Sequence, residues 1–470
     1  MLDILICSIP SIEIYLPPAA PASLKGYLNQ QGFTSKCLDL NLIMYQSKPL
    51  AFDNLSAYFS YETNQLTDDI RQDWEEVMSE WVDSITAEQF RWLGISVFTK
   101  NSVKALLDIC DRFKNRNFKI VVGGMGLTDE LCNYLTTHNL IDAYIMGEGE
   151  HALVNLLKDN MKFPGINSPG VQIADLDELG FTDYEDYTLE KYTGFYNEPV
   201  VQITGSRGCV RRCTFCDIND HWPKFKFRSG QHIAQEIIQT YEHKGIKNFY
   251  FTDSLINGSM SAYMKMCEAL SNYNSQHHAN ITWGGQFIVR SAKELPKDYY
   301  SLTASSGATN LAMGVETGSD IVRAHMQKKF SNQDLDLTIE NFAKHRITCS
   351  YLIIIGYPTE TEEDFYETLR MLQRHQRYAA QGIILGVSLG QTMLALDGSP
   401  VFKSFGDDIL MGNTKMPNTW VLKSNLELDY TVRVKRRLQA ELVADYLGYN
   451  TISSDRNFAN IKKELDVLYA

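Results

Sequence analysis

The sequence predicts an α/β protein in two parts: a doubly wound domain of the Rossmann type, then a partial (β/α)6 barrel with a helical C-terminal extension. Three observations predict it. Short apolar runs alternate with helical patterns over residues 1–155, the mark of parallel βαβ units. The same rhythm restarts at Val200 and supplies six further strands before Pro400. And 470 residues exceed what one hydrophobic core organises. The divisions expected are a Rossmann-like domain at 1–155, a linker at 156–198, the barrel at 199–400 and a mainly helical region at 401–470.

In order, Ile4–Ile9 reads as a first strand, followed by a helix at Pro21–Gln31 that Gly32 stops. Ser35–Leu40 is a second strand. Leu42–Glu88 is acidic and helical, with Trp74 and Trp81 on one face, a spacing that favours core or interface over a binding box. Trp92–Phe98, Lys119–Val122 and Ala143–Met146 are the remaining strands, with helices at Ser102–Phe113 and Thr128–Thr137 between them. Ser96, Gly123, Gly124, Gly147 and Glu148 fall at or just past strand ends, the edge of a doubly wound sheet where ligands bind. Residues 156–198 are rich in Pro, Gly, Asp and Tyr and read as a strap over the second domain.

The barrel strands expected are Val200–Thr204, Asn248–Thr252, Ile281–Gly284, Asn310–Gly314, Cys349–Ile355 and Ile383–Leu389. Helical patterns separate them at Gln231–His243, Met260–Asn274, Ala292–Ser301, Ser331–Lys344 and Glu362–Gln376. Six units are too few for a full eight-unit barrel. Beyond Pro400, Leu426–Leu447 forms a helix carrying Arg433, Lys435, Arg436 and Arg437, expected to close the barrel's open side and present its charges to solvent or an acidic substrate.

Composition narrows function. A net charge of −13 argues against broad nucleic-acid binding and against anionic membrane surfaces. There is no apolar run near 18 residues, and the N-terminus lacks the basic lead of a signal peptide, so a cytoplasmic protein is expected. The nine cysteines are no disulfide framework. Six are scattered, and three share one loop.

That loop is Gly205-Ser206-Arg207-Gly208-Cys209-Val210-Arg211-Arg212-Cys213-Thr214-Phe215-Cys216. Three thiolates can each hold one iron of a cubane 4Fe-4S cluster, which normally takes four cysteines, and the fourth iron is then open to a ligand. The competing reading is a Cys3His zinc knot with His221 as fourth ligand. His277-His278 reads as an exposed pair, Arg228-Ser229 as a helix cap, and Lys328-Lys329 as either a substrate contact or a solvated helix end.

The CxxxCxxC spacing, with Phe215 before its last cysteine, resembles the cluster loop of the radical S-adenosylmethionine (radical SAM) enzymes. Later turns extend the resemblance: Phe251-Thr252-Asp253, Trp283-Gly284-Gly285-Gln286, Gly314-Val315-Glu316-Thr317-Gly318, Ile355-Gly356-Tyr357-Pro358-Thr359-Glu360-Thr361 and Asp397-Gly398-Ser399-Pro400. What it implies is an iron–sulfur cluster on Cys209, Cys213 and Cys216, with SAM contacted by Phe215, Asp253, Gln286, Glu316 and Gly356. Residues 1–155 in turn look like the cobalamin-binding domain that precedes many radical SAM cores. Its usual Asp-x-His-x-x-Gly motif is missing, and no histidine precedes His138, so cobalamin is expected without a lower histidine. The competing reading is a domain that keeps the fold and has lost the cofactor.

The chemistry implied by the resemblance is reductive cleavage of SAM to methionine and a 5'-deoxyadenosyl radical, most simply for C-methylation of an unactivated carbon. The alternatives are a radical cyclase or rearrangement enzyme, and a non-catalytic cobalamin or iron–sulfur sensor. A small molecule or lipid precursor is the expected substrate, and a flavodoxin or ferredoxin the expected reductant. The all-β module that tRNA methylthiotransferases carry is not visible, so nucleic acid is not an expected partner.

Overall fold

Leu2–Ser8 forms β1, the strand on which the N-terminal sheet is organised. Ile4, Leu5, Ile6 and Cys7 are all buried, as in a parallel strand covered on both faces. The computed structural model describes residues 1–10, 14–59, 67–192, 198–390, 392–396, 398–411 and 418–451. The chain divides into two units: Met1–Ile203 with Gln239–Asn248, and Thr204–Ile238 with Phe249–Ala470.

In the first unit β1 is followed by α1 (Ala19–Gln30), β2 (Ser35–Asp39), α2 (Leu40–Ser47), α3 (Phe52–Phe59) and α4 (Asp68–Thr86). Then come β3 (Phe90–Ser96), α5 (Val103–Arg112), β4 (Lys119–Gly123), α6 (Asp129–Thr137), β5 (Ala143–Ile145) and α7 (Gly149–Leu157). The strands are parallel in the order β2-β1-β3-β4-β5. This is the doubly wound arrangement, and its order reverses between β1 and β3, where Ser8 stands in register with Ser96. A crevice opens at such a reversal because the connections leave in opposite directions. Trp74 and Trp81 meet edge to face at 5.1 Å in the core, as their helical spacing suggests.

The connector, expected as a strap over the second domain, is anchored to α1 and β2 of the first unit and, through the Tyr184 hydroxyl donating to Gln202 O at 2.9 Å, to the strand that opens the second sheet. Met146 N donates to Gly165 O at 2.9 Å, extending the edge beyond β5. Buried Lys25 of α1 pairs with Asp186 at 2.7 Å, and Tyr192 donates to Asp39 at 2.9 Å. Gly26 is needed where the strap crosses α1, since a Cβ there would lie 1.8 Å from Phe181 O. Charged and aromatic side chains, rather than apolar ones alone, hold this segment down.

The second sheet has six strands in strictly sequential order: β6 (Val200–Ile203), β9 (Asn248–Phe251), β10 (Thr282–Phe287), β11 (Ala308–Glu316), β12 (Cys349–Ile353) and β13 (Ile384–Ser388). Between β6 and β9 come a two-stranded ribbon, β7 (Ser206–Arg207) with β8 (Lys226–Phe227), the short α8 (Ile218–His221) and α9 (Gly230–Lys244). The later crossovers are α10 (Met260–His277), α11 (Tyr299–Ser305), α12 (Asp320–His325), α13 (Asn332–His345) and α14 (Glu362–Ala380). Ser331 and Thr361 close capping boxes with Asp334 and Asp364. The helix expected at Ala292–Ser301 is instead a 3-10 turn at Ala292–Glu294 and then α11, because Pro296 cannot continue a helix.

The C-terminal region is not simply helical. After α15 (Pro400–Phe405) an antiparallel ribbon forms, β14 (Ile409–Met411) with β15 (Trp420–Leu422), and α16 (Tyr430–Tyr446) follows, capped by Asp429. The basic face expected in solvent is largely buried. Arg433 is 0% exposed and stacks 3.9 Å over the Trp420 ring, donating to the Leu428, Asn418 and Trp420 carbonyls. Arg437 pairs with Glu441, Arg436 turns inward to Glu360, and Lys435 is exposed. The segment after α16 returns to the sheet: Val387 N donates to Asn450 O at 2.8 Å, which covers the edge of β13. Residues 452–470, expected within the helical extension, lie outside the described residues. Among the described residues no helix is long and apolar enough to cross a membrane.

Candidate functional site

The cysteine loop leaves β6 at the C-terminal edge of the second sheet, and its root is fixed from two sides. Asp253, just past β9, accepts from Gly205 N at 2.8 Å and from the Ser206 hydroxyl. Arg228 gives its backbone N–H to Gly205 O at 2.8 Å and its guanidinium to Thr204 O at 3.0 Å and to Glu236. The β7–β8 ribbon then closes the loop, pairing Ser206 with Phe227 and Arg207 with Lys226. Everything between is an excursion held at its neck, and the three thiols ride on it.

Asp253 was expected to face a cofactor. It is instead a buried strut under the loop, 3% exposed, and burial pushes its carboxyl up to about 7 against the hydrogen bonds and Arg228 that pull it down. An acid whose folded value is raised binds a proton in the native state where the unfolded chain has none. Stability therefore falls as pH rises from about 4 towards 7 on account of this group, by at most ~1.4 kcal/mol per pH unit. Asp253→Asn is expected to remove that slope from denaturant midpoints measured across the window; an unchanged slope would mean the proton sits elsewhere.

Cys213 is buried, and Cys209 and Cys216 are half-buried. Burial pushes all three thiols up, Cys213 to about 11, while backbone N–H groups of Arg211 and Ile218 at Cys209 and Cys216, and the Lys328 ammonium, favour the thiolates. Thiols in this state give up protons only when a cation takes their place. No three His, Cys, Asp or Glu side chains among the described residues are gathered as for a single metal ion, and His221 is exposed beside Trp222. A cubane does not need such convergence, because each thiolate ligates a different iron.

Glu316 ends β11 at a bulge, where the register with β12 shifts between Gly314 and Glu316, and it takes φ +65°. Bulges re-aim side chains beside functional sites, and a positive φ outside glycine costs energy that the surroundings must offset. The offset is a buried ion pair. Lys328 Nζ lies 2.6 Å from Glu316 Oε1 and donates to Gly314 O at 3.1 Å, while 5.6 Å from the Phe215 ring centroid. Burial works against the Lys328 charge, yet Glu316 and the thiols outweigh it and hold the ammonium above its usual range. A Cβ on Gly314 would fall 2.5 Å from Glu316 Oε1, so glycine leaves the room the pair occupies. Lys328 is thus neither solvated nor at a loose helix end.

Thr214 ties the loop to neighbouring strand ends. Its N–H donates to Met326 O at 3.2 Å, its hydroxyl meets Tyr357 OH at 2.8 Å, and its carbonyl accepts from Val401 N at 2.8 Å. Gly356, in the turn after β12, has φ +82°, and a Cβ there would collide with buried Arg433 at 2.2 Å. Its N–H points at the Glu360 carboxylate, which Arg436 holds from the other side at 3.0 Å. Burial pushes Glu360 up to about 7, with Arg436 opposing. Arginines of α16 therefore shape the turn that carries Gly356. Sequence reading quotes Thr214, Tyr357 and Glu360 only as members of motifs and does not foresee their contacts or those of Arg433 and Arg436; the signal available was these two arginines three apart on one helix. Gln286 lies within β10 rather than in a turn after it, half-buried, and its amide finds no partner among the described residues. Ser399 stands at the N-cap of α15 with its hydroxyl donating to Leu396 O at 2.8 Å instead of capping the helix, whereas Asp397 lies outside the described residues.

In the first unit, Ser96 and Gly123 end β3 and β4 in register. Gly124 has φ +121° and approaches Val97 O so closely that a Cβ would be 2.3 Å away. Phe98 and Met125 flank this turn, 53% and 47% exposed. Gly147 turns with φ +83°, and Glu148 accepts from Ile173 N, tying down the connector. His138 lies at the C-terminal end of α6, its Nδ1 against Tyr134 O, away from the strand ends where Ser96, Gly123, Gly124, Gly147 and Glu148 lie.

The second sheet is thus a parallel array of six sequential strands, with three cysteines on the loop after the first and a carboxylate–ammonium pair after the fourth. Residues 203–372 match the model of the Radical SAM superfamily. It is 25% identical over 272 residues to the anaerobic magnesium-protoporphyrin IX monomethyl ester cyclase of Synechocystis sp., covering 54% of this chain and 53% of that protein. It is 26% identical over 216 residues to the cytidylyl-2-hydroxyethylphosphonate methyltransferase of Streptomyces wedmorensis, covering 43% and 39%. The chain thus spans about half the length, or less, of these curated relatives. Among solved structures it shares its fold with the cobalamin-dependent radical SAM enzyme OxsB (TM-score 0.68, 14% identity, 99% of this chain and 71% of that one). It shares it also with the methyltransferase TsrM of Kitasatospora setae, whose structure holds cobalamin and a 4Fe-4S cluster (TM-score 0.64, 13% identity, 89% and 78%).

Proposed function

We propose that this chain is a cobalamin-dependent radical SAM enzyme that methylates an unactivated carbon of a small molecule or lipid precursor. The observation that carries the reading is the set of three thiols on one necked loop at the C-terminal edge of the sheet, beside the Glu316–Lys328 pair. When bound, the cluster supplies the electron that cleaves SAM, and cobalamin supplies a carrier for the methyl group.

The chain's own residues position and insulate. Cys209, Cys213 and Cys216 hold three irons and leave one open. The amide donors at Cys209 and Cys216 and the Lys328 ammonium offset the negative charge that three thiolates bring into a buried site. Glu316 has a second carboxylate oxygen free to accept from a ribose hydroxyl while Oε1 stays on Lys328. The absence of a side chain at Gly356 lets Arg433 of α16 pack against the turn after β12 and fix its backbone. In the first unit, the Gly124 turn between exposed Phe98 and Met125, at the edge where the strand order reverses, fits a large flat cofactor. With no histidine before His138, such a cofactor would have no lower histidine from that unit's strand ends.

A second reading keeps the cluster and SAM but ends in cyclisation or rearrangement, and similarity to the Synechocystis cyclase supports it. SAM bearing a deuterated methyl group, offered with a reductant and the metabolite pool of the source cells, separates the two. Methylation predicts a product carrying the whole labelled methyl. A product without label, formed together with 5'-deoxyadenosine, would overturn methylation and leave the second reading standing.

A further inference from the structure

The Glu316–Lys328 pair stands on a turn that must be held from outside. Thr317 N donates to Val315 O at 2.9 Å, closing a three-residue turn on Glu316 at φ +65°. A turn of this hand is rare and strained wherever the central residue carries a Cβ. The next three carbonyls are each claimed by a donor from a later segment. Glu316 O accepts from Ile354 N at 2.8 Å, Thr317 O from the Arg323 guanidinium, and Gly318 O from Asn332 Nδ2 at 2.8 Å. Arg323 stands in α12 and is 0% exposed. Its guanidinium also meets Asp320, donates to Asn332 Oδ1 at 3.1 Å and lies 4.7 Å from the Phe330 ring centroid. Its Nε finds no acceptor among the described residues. An aliphatic side chain would fill such a position without burying a charge, so the cation is kept for the bonds it makes. The backbone of Arg323 holds the other half of the pair. Lys328 N donates to Arg323 O at 3.0 Å and Gln327 N to Ala324 O at 2.9 Å, with Gln327 at φ +58°, the left-handed close of a helix.

We infer that Arg323 is a positioning residue for SAM: its side chain fixes the peptide after Glu316, its carbonyl fixes Lys328, and together they aim the carboxylate. The inference rests on the function proposed above, since it needs SAM at Glu316. Arg323 acts through these neighbours and is not itself a ligand. Released from it, the strained turn relaxes, and the carboxylate leaves the geometry that the ion pair now sets. The same helix end also reaches the cysteine loop. The carbonyls of His325 and Met326 accept from the Thr214 hydroxyl and N–H, both at 3.2 Å. A carboxylate held from α12 is therefore placed with respect to the thiols as well, and a ligand spanning both needs that placement to within a fraction of an ångström.

The test is equilibrium dialysis of radiolabelled SAM against the oxidised, anaerobically reconstituted full chain, beside amide hydrogen exchange of the cluster-free chain. Arg323→Met keeps the stem and removes the donors. It should take up wild-type iron and weaken SAM binding by about tenfold or more. Amides of residues 314–319 should lose more protection than those of β10 and β13. Arg323→Lys keeps a charged donor in place of the fork and should bind SAM more tightly than Arg323→Met does. Where Arg323→Met does not fold, Asn332→Ala carries the test, with affinity lower by about threefold and the same local loss of protection. Unchanged SAM binding in whichever of these variants folds would overturn the positioning role. So would protection lost equally at 314–319 and in β10, a lysine variant no better than the methionine one, or iron lost together with affinity. A wild-type chain that holds its iron and binds no SAM would instead overturn the function on which the inference stands.

Discussion

Anaerobically reconstituted Cys213→Ala is expected to lose most of its iron and sulfide and to form 5'-deoxyadenosine at no more than background. That is a loss of at least about a thousandfold, on the order of 4 kcal/mol in barrier terms. Cys213 is the most buried of the three thiols, and like Cys216 it feels the charges of both Lys328 and Glu316. Without it, two half-buried thiolates remain, enough to hold two irons of a cubane and not three. Cys110→Ala is the control: that thiol is fully buried in α5 of the first unit, so the change costs packing but leaves iron content alone. Equal iron in wild type and Cys213→Ala would refute the assignment of the loop.

Lys328→Met should be the most damaging single change to stability near the site. It leaves the Glu316 carboxylate buried at a strained bulge with its cation gone, and breaking a buried pair by removing one partner costs about 3–5 kcal/mol. The double variant Lys328→Met/Glu316→Gln should recover most of that loss in denaturant unfolding, because no unpaired charge remains. Both variants should bind SAM poorly. Recovery of stability without recovery of binding would show that the pair has a task beyond holding the fold. If single and double variants unfold alike, the pair is not coupled as its 2.6 Å separation implies.

Much of this was legible in the sequence, and for physical reasons. Strands buried on both faces, such as β1 and β12, read as continuous apolar runs, and Gly32, Ser331 and Thr361 mark helix ends through backbone chemistry that is local. Cys209, Cys213 and Cys216 are equally local: their spacing is the site. What stayed hidden depends on which distant groups fold makes neighbours. Asp253 lies at a strand end, as a cofactor ligand would, yet Gly205 and Ser206, some 48 residues earlier, claim its carboxylate. Arg433 and Arg436 carry charges that spacing assigns to solvent, and only the positions of Trp420 and Glu360 turn them inward. Polar residues of the connector do not announce what they cover, and only the fold pairs Tyr192 with Asp39 and Asp186 with Lys25.

The central claim is that the loop holds a cluster with one open iron and that the first unit holds cobalamin beside such chemistry. Iron, acid-labile sulfide, cobalt and zinc measured together on anaerobically purified full chain test it most directly. The account predicts about four irons and four sulfides per chain, near-stoichiometric cobalt, and no zinc. Zinc in place of iron and sulfide would contradict the cluster, and a full cluster with no cobalt after growth with cobalamin would contradict the role given to the first unit.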